Sequence, residues 1–470
     1  MQGKQVFQQP LFTTIDLNKF VPDDHPLKRI EKVLDLSYIR ALTKPYYSEN
    51  IGRASLDPVV FFKMEIIKYL EGIDSDRKLC ADAHLNMAYR WFLRIPVDDP
   101  IPDHSTLTKI RDRLGEDVYK QCFEQIVWQC KEAGLLRNKQ MVTDGTLIEA
   151  NASKKSLKPR QENKSPGSKC KKKEKISNVT HVSKSDPDAT IVGRKGYGGK
   201  LYYKSHCSIM GNKRIITDCY VTTGATHECQ TYTDRIEHQI STFELEVKEC
   251  LADRGYGHGP AYEYLKKNEI RAYIPLRDNR LGRGKDAPSE GFIYNRKQDI
   301  YTCPKGHKLH PHKPSTGFTR YRITGGECIN CPIRSECMPE GSKLSNKRIL
   351  RSFHQDSYDK IHRRSKTKHF KKKLRERAWR VEGVFGEDKI NHGLSRARYR
   401  GRSKVQMQVY MISFVHNLKR LAQGLSGLKS PIFWSDILNM ASKFGFWCLF
   451  GKSKEFRIEN LSFLRLARIF

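Results

Sequence analysis

The chain has 470 residues, 86 of them Lys or Arg and 52 Asp or Glu, for a formal net charge of +34 at pH 7. That length excludes a single small module, and so large a basic excess repels itself and calls for a polyanionic partner, nucleic acid first. Hydrophobic residues at 38% supply packed cores, no run of about 18 apolar residues offers a membrane span, and the 13 cysteines, mostly scattered, do not describe a disulfide framework. The expectation is a cytoplasmic, nucleoid-associated protein with no membrane partner.

Residues 1–135 read as helical. Asp57 can cap a helix, Pro58 fits its first turn, and Gly72 ends the apolar run that follows, which predicts a helix over 57–72. A second helix is predicted from about Asp76 to Leu93. After Pro96, Pro100 and Pro102, Ser105 can cap a third, with Leu107, Ile110 and Leu114 on one face. Its other side presents Lys109, Arg111 and Arg113, suited to phosphates or base edges, or equally to an ordinary solvated surface.

From Gln140 the texture changes to strands. Met141–Asp144 is a short β-favouring run, and a basic loop rich in Lys, Ser and Pro occupies 151–180. Residues 201–209 and 214–223 predict a hairpin around Gly211-Asn212. A helix over 231–245, a strand leading to Asp253, a helix near 261–267 and a strand at 271–275 complete a mixed α/β region with a partly antiparallel sheet. The Cys-rich stretch 281–350 reads as an insertion into a core that resumes over 351–425. There Phe370, Leu374, Ala378, Val381 and Phe385 recur at helical spacing. Residues 426–470 form a tail without a clear pattern.

Metal-dependent phosphoryl transfer needs carboxylates gathered from separate elements, because hard cations take oxygen ligands. Asp144 and Asp253 each end a β-favouring run next to a glycine-containing turn, and Glu382 lies one helical position, about 100°, from Val381, so it borders the apolar stripe where that helix would meet the sheet. Seven residues are nearly two turns, so Arg375, Glu382 and Lys389 fall in one line. Singly, each acid has an ordinary reading as a turn residue or a solvated ion pair.

Together, Thr143-Asp144-Gly145-Thr146, Ala252-Asp253-Arg254-Gly255-Tyr256 and Val381-Glu382-Gly383-Val384-Phe385-Gly386 resemble the three acidic motifs of bacterial insertion-sequence transposases of the DDE class. Asp57-Pro58, Arg90-Trp91-Phe92 and Pro102-Asp103-His104-Ser105-Thr106 are similar to the InsH-type N-terminal domain of such enzymes, while Asp186-Pro187-Asp188-Ala189 and Thr222–Glu228 resemble stretches between the first two acids. The resemblance implies an RNase H-like catalytic core and a triad of Asp144, Asp253 and Glu382 binding two Mg2+ or Mn2+ ions. It implies cleavage and strand transfer on double-stranded DNA, at the element's ends and at a target, with a homodimer in the synaptic complex. Lys389 and Arg375 would grip a terminal phosphate. Ala378 stands where related chains carry arginine, a role that Arg375, Arg377 or Arg380 could take, and Glu387 is a rival third acid. Two alternatives stay open: a nuclease of the same fold that does not join strands, and an inactive DNA-binding protein.

Cys328-Ile329-Asn330-Cys331 with Cys337 gives a C-x2-C-x5-C knuckle, and Cys303, about 25 residues earlier, can close a structural Zn2+ site. His307 or His310 can replace one thiolate. A segment so poor in large apolar residues has little else with which to fold, so a zinc-ribbon-like insertion is expected.

Overall fold

The computed structural model describes residues 15–425 apart from 49, 51, 53, 54, 161–175, 195, 196, 277–290, 313, 315, 316 and 339–343. Residues 161–175 of the basic loop, with Lys169, Lys171, Lys172, Lys173 and Lys175, the start of the insertion and the 426–470 tail lie outside the described residues. The N-terminal part contains α1 (Leu17–Phe20), α2 (Pro26–Glu31), α3 (Ile39–Thr43), α4 (Pro58–Leu70), α5 (Asp76–Leu85), α6 (Met87–Leu93) and α7 (His104–Glu132). Asp57 caps α4 by accepting from the Val59 amide at 2.9 Å, as its sequence predicts. The second expected helix is divided, because the Asn86 side chain accepts from the Ala88 and Tyr89 amides and starts α6 afresh. Asp103, not Ser105, caps α7. That helix bends at Gly115, whose φ of 69° a residue with a Cβ rarely adopts.

The main sheet comprises β1 (Gln140–Glu149), β4 (Thr190–Arg194), β5 (Tyr197–Met210), β6 (Ile215–Thr223), β7 (Glu249–Ala252) and β8 (Arg271–Tyr273); a separate pair joins β2 (Leu157–Pro159) to β3 (His181–Ser183). β5 runs antiparallel to β1, β4 and β6, whereas β7 is parallel to β1 and β8 parallel to β7. Reading across gives β6-β5-β1-β7-β8, with β4 beside the first half of β5. α8 (Tyr232–Phe243) and α9 (Gly259–Lys267) make the connections to β7 and β8. The β5–β6 turn uses positive φ at Gly211 and Arg214, consistent with the predicted hairpin.

The insertion carries β9 (Ile293–Asn295), β10 (Ile300–Thr302), β11 (Lys308–Pro311), β12 (Phe318–Arg322) and β13 (Arg348–Ser352) in one antiparallel sheet, with α10 (Arg334–Cys337) beside it. It has an apolar cluster of its own around Tyr301, Leu309, Tyr321, Ile323 and Ile349. The expectation that a metal was nearly its only means of folding is therefore corrected: tyrosines and branched aliphatics supply a small core.

The chain closes with α11 (Gln355–Ser365), α12 (Lys368–Asn391) and α13 (Arg402–Leu425). Helices α2–α7, the main sheet and α13 share one apolar core, so no packing gap separates the first 135 residues from the rest. α13 also covers the free edge of β6. Gln406 accepts from the Val221 amide at 2.6 Å and donates to the Cys219 carbonyl, and Asn417 does both for Ile216. An edge strand that would otherwise recruit another chain is thereby paired with side-chain amides. Asp186 and Asp188 accept from the Gly401 and Arg402 amides at the start of α13, which gives that motif a capping role. No helix among the described residues is long and apolar enough to cross a membrane.

Candidate active site

β1 does not stop at Asp144 but continues to Glu149, with Asp144 opposite Cys207 of β5. Its pairing with β7 does stop there: the last matched pair is Thr143 with Ala252. The parallel register thus sets the next residues, Asp144 and Asp253, abreast on strands about 4.8 Å apart, where the two chains part.

Each acid is anchored locally. Asp144 Oδ1 accepts from the Gly145 amide at 2.8 Å and Asp253 Oδ1 from the Gly255 amide at 2.7 Å. Arg377 of α12 donates to Asp144 Oδ2 at 2.6 Å. Burial raises the Asp144 carboxyl above its ordinary pKa and Asp253 pushes it further, while Arg377 and the Gly145 amide pull it back. The two aspartates therefore sense one another through a half-closed, low-dielectric space.

A third carboxylate approaches from the turn before α8. A Cβ on Gly255 would stand 2.2 Å from Glu228 Oε2 and 2.8 Å from Asp253 Oδ1, so the missing side chain leaves room for both acids. Lys204 of β5 donates to Glu228 Oε1 at 3.0 Å and to the Thr226 carbonyl at 2.8 Å. Behind it, His206 Nδ1 lies 3.2 Å from the Tyr256 hydroxyl and Nε2 lies 3.0 Å from Thr222 Oγ1. Burial, with Lys204 beside it, drops His206 to about 4, so the ring is neutral near pH 7. Sequence reasoning missed Glu228 and Lys204 as site residues, and offered Arg377 only as one of three arginines that could stand in for the one absent at Ala378. Glu228 closed one of the quoted motifs, whereas nothing in spacing set Arg377 apart from neighbouring cations.

Glu382 is not brought to these aspartates. It is exposed on the outer face of α12 with Arg375 and Trp379, five residues and about 140° round the helix from Arg377. The rotation of α12 is set by Phe370, Val381 and Val384, which are buried. It is set also by cations that reach the sheet: Lys373 to Glu249, Arg377 to Asp144, and Arg380 to Gln140 and the Gly211 carbonyl. Placing Glu382 beside the apolar stripe is corrected accordingly. Among the described residues, no set of three His, Cys, Asp or Glu side chains stands close enough to hold a metal ion. The rival Glu387 is committed elsewhere, accepting from Lys419 at 2.7 Å and pairing with Arg420. Burial alone would raise its carboxyl, but His392, Lys419 and other cations of that corner hold it far below the usual range. Lys389 is half-buried near the end of the helix.

The three expected N-terminal DNA contacts divide. Lys109 and Arg113 are exposed, Arg113 stacking 5.0 Å from the Tyr47 ring centre. Arg111 is only 2% exposed and donates to Glu65 and Asp76. Its assignment to DNA is therefore corrected: α7 turns that position into the core. In the insertion, Cys303, Cys328, Cys331, Cys337 and His307 line a cavity of about 20 Å³. Burial raises the Cys337 thiol, and the other three thiols are close enough to act on it. His310 lies on β11, exposed.

Residues 15–113 match the family described as a transposase domain (DUF772), and residues 302–422 match the family described as a transposase DDE domain. The second match contains Glu382 but neither aspartate. Among solved structures, the chain is similar to a piggyBac transposase synaptic complex with hairpin DNA at 9% identity, over 92% of this chain and 86% of that one, with a TM-score of 0.30.

Proposed function

The chain belongs to the DDE transposases of insertion sequences, and we propose that it cuts double-stranded DNA at its element's ends and joins the freed 3′-hydroxyl to target DNA from the pocket at Asp144 and Asp253. The observation that carries this reading is the parallel β1–β7 register, whose last pair, Thr143 with Ala252, immediately precedes the two acids where the strands part. The order β6-β5-β1-β7-β8, three antiparallel strands followed by two parallel ones, supports an RNase H-like core.

The donor chemistry of the two aspartates suits Mg2+ or Mn2+: both offer hard oxygens, and the burial that raises Asp144 would be offset by a cation. Ions bound there would lower the pKa of the attacking water or hydroxyl and neutralise charge on the scissile phosphate. Arg377 is placed to hold Asp144 in its rotamer, Lys204 fixes the Glu228 carboxylate near Asp253, and neutral His206 with Tyr256 forms the floor. Glu382 is the third acid in this reading, presented with Arg375 on the solvent face of α12; reaching the aspartates requires that helix to turn. Lys389 completes the phosphate grip, and two copies would bridge two DNA ends.

The test is cleavage of labelled element-end DNA in Mg2+, followed by strand transfer from a pre-cut 3′-hydroxyl. Asp144→Asn and Asp253→Asn should each abolish both steps while far-UV circular dichroism stays unchanged; retained cleavage in either variant removes the assignment. Cleavage without transfer by the wild type would favour the nuclease alternative. For the insertion, Cys303, Cys328, Cys331 and Cys337 line one small cavity without standing at metal-ligand spacing, and the reading is that a structural Zn2+ would draw these thiols together. Elemental analysis of purified protein should find one zinc per chain, lost in Cys331→Ser, and a folded, zinc-free wild type refutes it.

A further inference from the structure

Away from the aspartates, a cleft of about 540 Å³ opens along the edge strand β8, between α9 on one side and α11 and α12 on the other. Lys266, Arg271, Lys360 and Arg364 line it, and Glu269 is the sole carboxylate among the lining residues. Lys266, Arg271 and Lys360 are exposed. None of the four cations makes a salt bridge among the described residues, although basic side chains nearby do: Lys373 is held by Glu249 and Arg377 by Asp144. Arg271 acts on Glu249 only through space, and cations converging on one concave surface without salt bridges repel each other, so their arrangement is accounted for by an anionic ligand. Arg364 is also pre-oriented, stacked 5.2 Å from the Tyr273 ring centre, and Tyr273 is itself held by a hydrogen bond to His369.

We infer that this cleft is a binding track for the phosphate backbone of duplex DNA, separate from the two aspartates. The register sets the scale. Arg271 lies opposite Glu249, four residues before Asp253 on the neighbouring strand. At about 3.3 Å per residue and 4.8 Å between strands, the cleft begins roughly 14 Å from Asp253 in the plane of the sheet. That is about four nucleotide steps of 3.4 Å along one strand. A duplex whose scissile phosphate sits at the aspartates therefore passes β8 while still within reach of Arg271 and Lys360. Beyond it, the α11–α12 junction adds Lys366 and Lys368, both exposed. A spread of point charges along an open groove suits a repeating polyanion better than one compact phosphate ester, which a closed site with bidentate arginine would hold.

The inference rests on the reading that the chain acts on DNA, and the experiment separates the two. Binding of a random-sequence 30-base-pair duplex is followed by fluorescence anisotropy in EDTA across a salt series. The comparison includes wild type, the triple variant Lys266→Gln, Lys360→Gln, Arg364→Gln, and a charge-matched control carrying Lys19→Gln, Lys78→Gln and Lys297→Gln. Each phosphate contact contributes about 0.9 to the slope of log affinity against log salt, so three lost contacts should shrink the slope by about 2.7. The control should keep most of the slope, and cleavage by the triple variant at saturating DNA should persist with a raised KM. Equal slopes in wild type and triple variant, or equal losses in triple variant and control, overturn the track. A wild type that binds with no salt dependence overturns the DNA reading itself.

Discussion

Arg111 separates a DNA-contact reading of α7 from a structural one. Its guanidinium lies 2.6 Å from Glu65 Oε1 and 3.0 and 3.1 Å from the two oxygens of Asp76, and its ring partner Tyr399 lies 4.7 Å away. Lys68 pairs with the same Asp76 and donates to the Tyr399 hydroxyl at 2.7 Å. Two acids and two bases balance, with Glu65 and Arg111 at 1% and 2% exposure. In Arg111→Met the stem volume is kept but Glu65 loses its cation, leaving one uncompensated buried charge. Breaking a buried pair in this way costs about 3–5 kcal/mol. Glu65 Oε2 and Arg111 Nε already lack hydrogen-bond partners, so the network is not fully satisfied, and Glu65→Leu combined with Arg111→Met should recover most of the loss. Urea unfolding followed by tryptophan fluorescence measures all three proteins. At a temperature where the single variant is folded, its DNA salt slope should equal that of the wild type. If Arg111→Met unfolds within about 0.5 kcal/mol of wild type and its slope falls by about 0.9, the residue is a phosphate contact and the structural account is wrong.

His206 is held neutral, its pKa at about 4 against 6.5 when unfolded. The unfolded chain therefore binds the extra proton below pH 6.5, and stability is lost as pH falls from there towards 4, by about 2 kcal/mol between pH 8 and pH 5. His206→Asn should flatten that part of the urea-stability profile; an unchanged profile refutes the account. Glu382→Gln should leave thermal stability unaltered while stopping DNA cleavage, whereas Glu387→Gln should unfold earlier because Lys419 and Arg420 lose their partner. The reverse pattern would make Glu387 the third acid. Gly255→Ala should displace the Glu228 and Asp253 carboxylates and lower the cleavage rate about a hundredfold with the fold intact, a shift of roughly 1 Å being enough. Wild-type turnover in that variant would show that the carboxylates yield without consequence.

Much of the architecture follows from local chemistry. Asp57-Pro58 starts α4, the 3.6-residue apolar period of Phe370, Val381 and Val384 buries one side of α12, and Gly211-Asn212 turns the β5–β6 hairpin, because caps, periodicity and tight turns act over a few residues. Asp144 and Asp253 were legible as candidates for the same reason, each ending a β-favouring run. Their adjacency was not, since it depends on a parallel pairing between residues more than a hundred positions apart. Helix rotation also lies beyond local pattern: one position on α12 is about 100°, and the cations that reach Glu249, Asp144 and Gln140 turned Glu382 outward. On α7, the same kind of choice drew Arg111 into a buried ion network while Lys109 and Arg113 stayed in solvent. Sequence thus determined which segments are helix or strand and which acids are available. Tertiary packing decided which of them meet, because side-chain direction is set by what each element packs against.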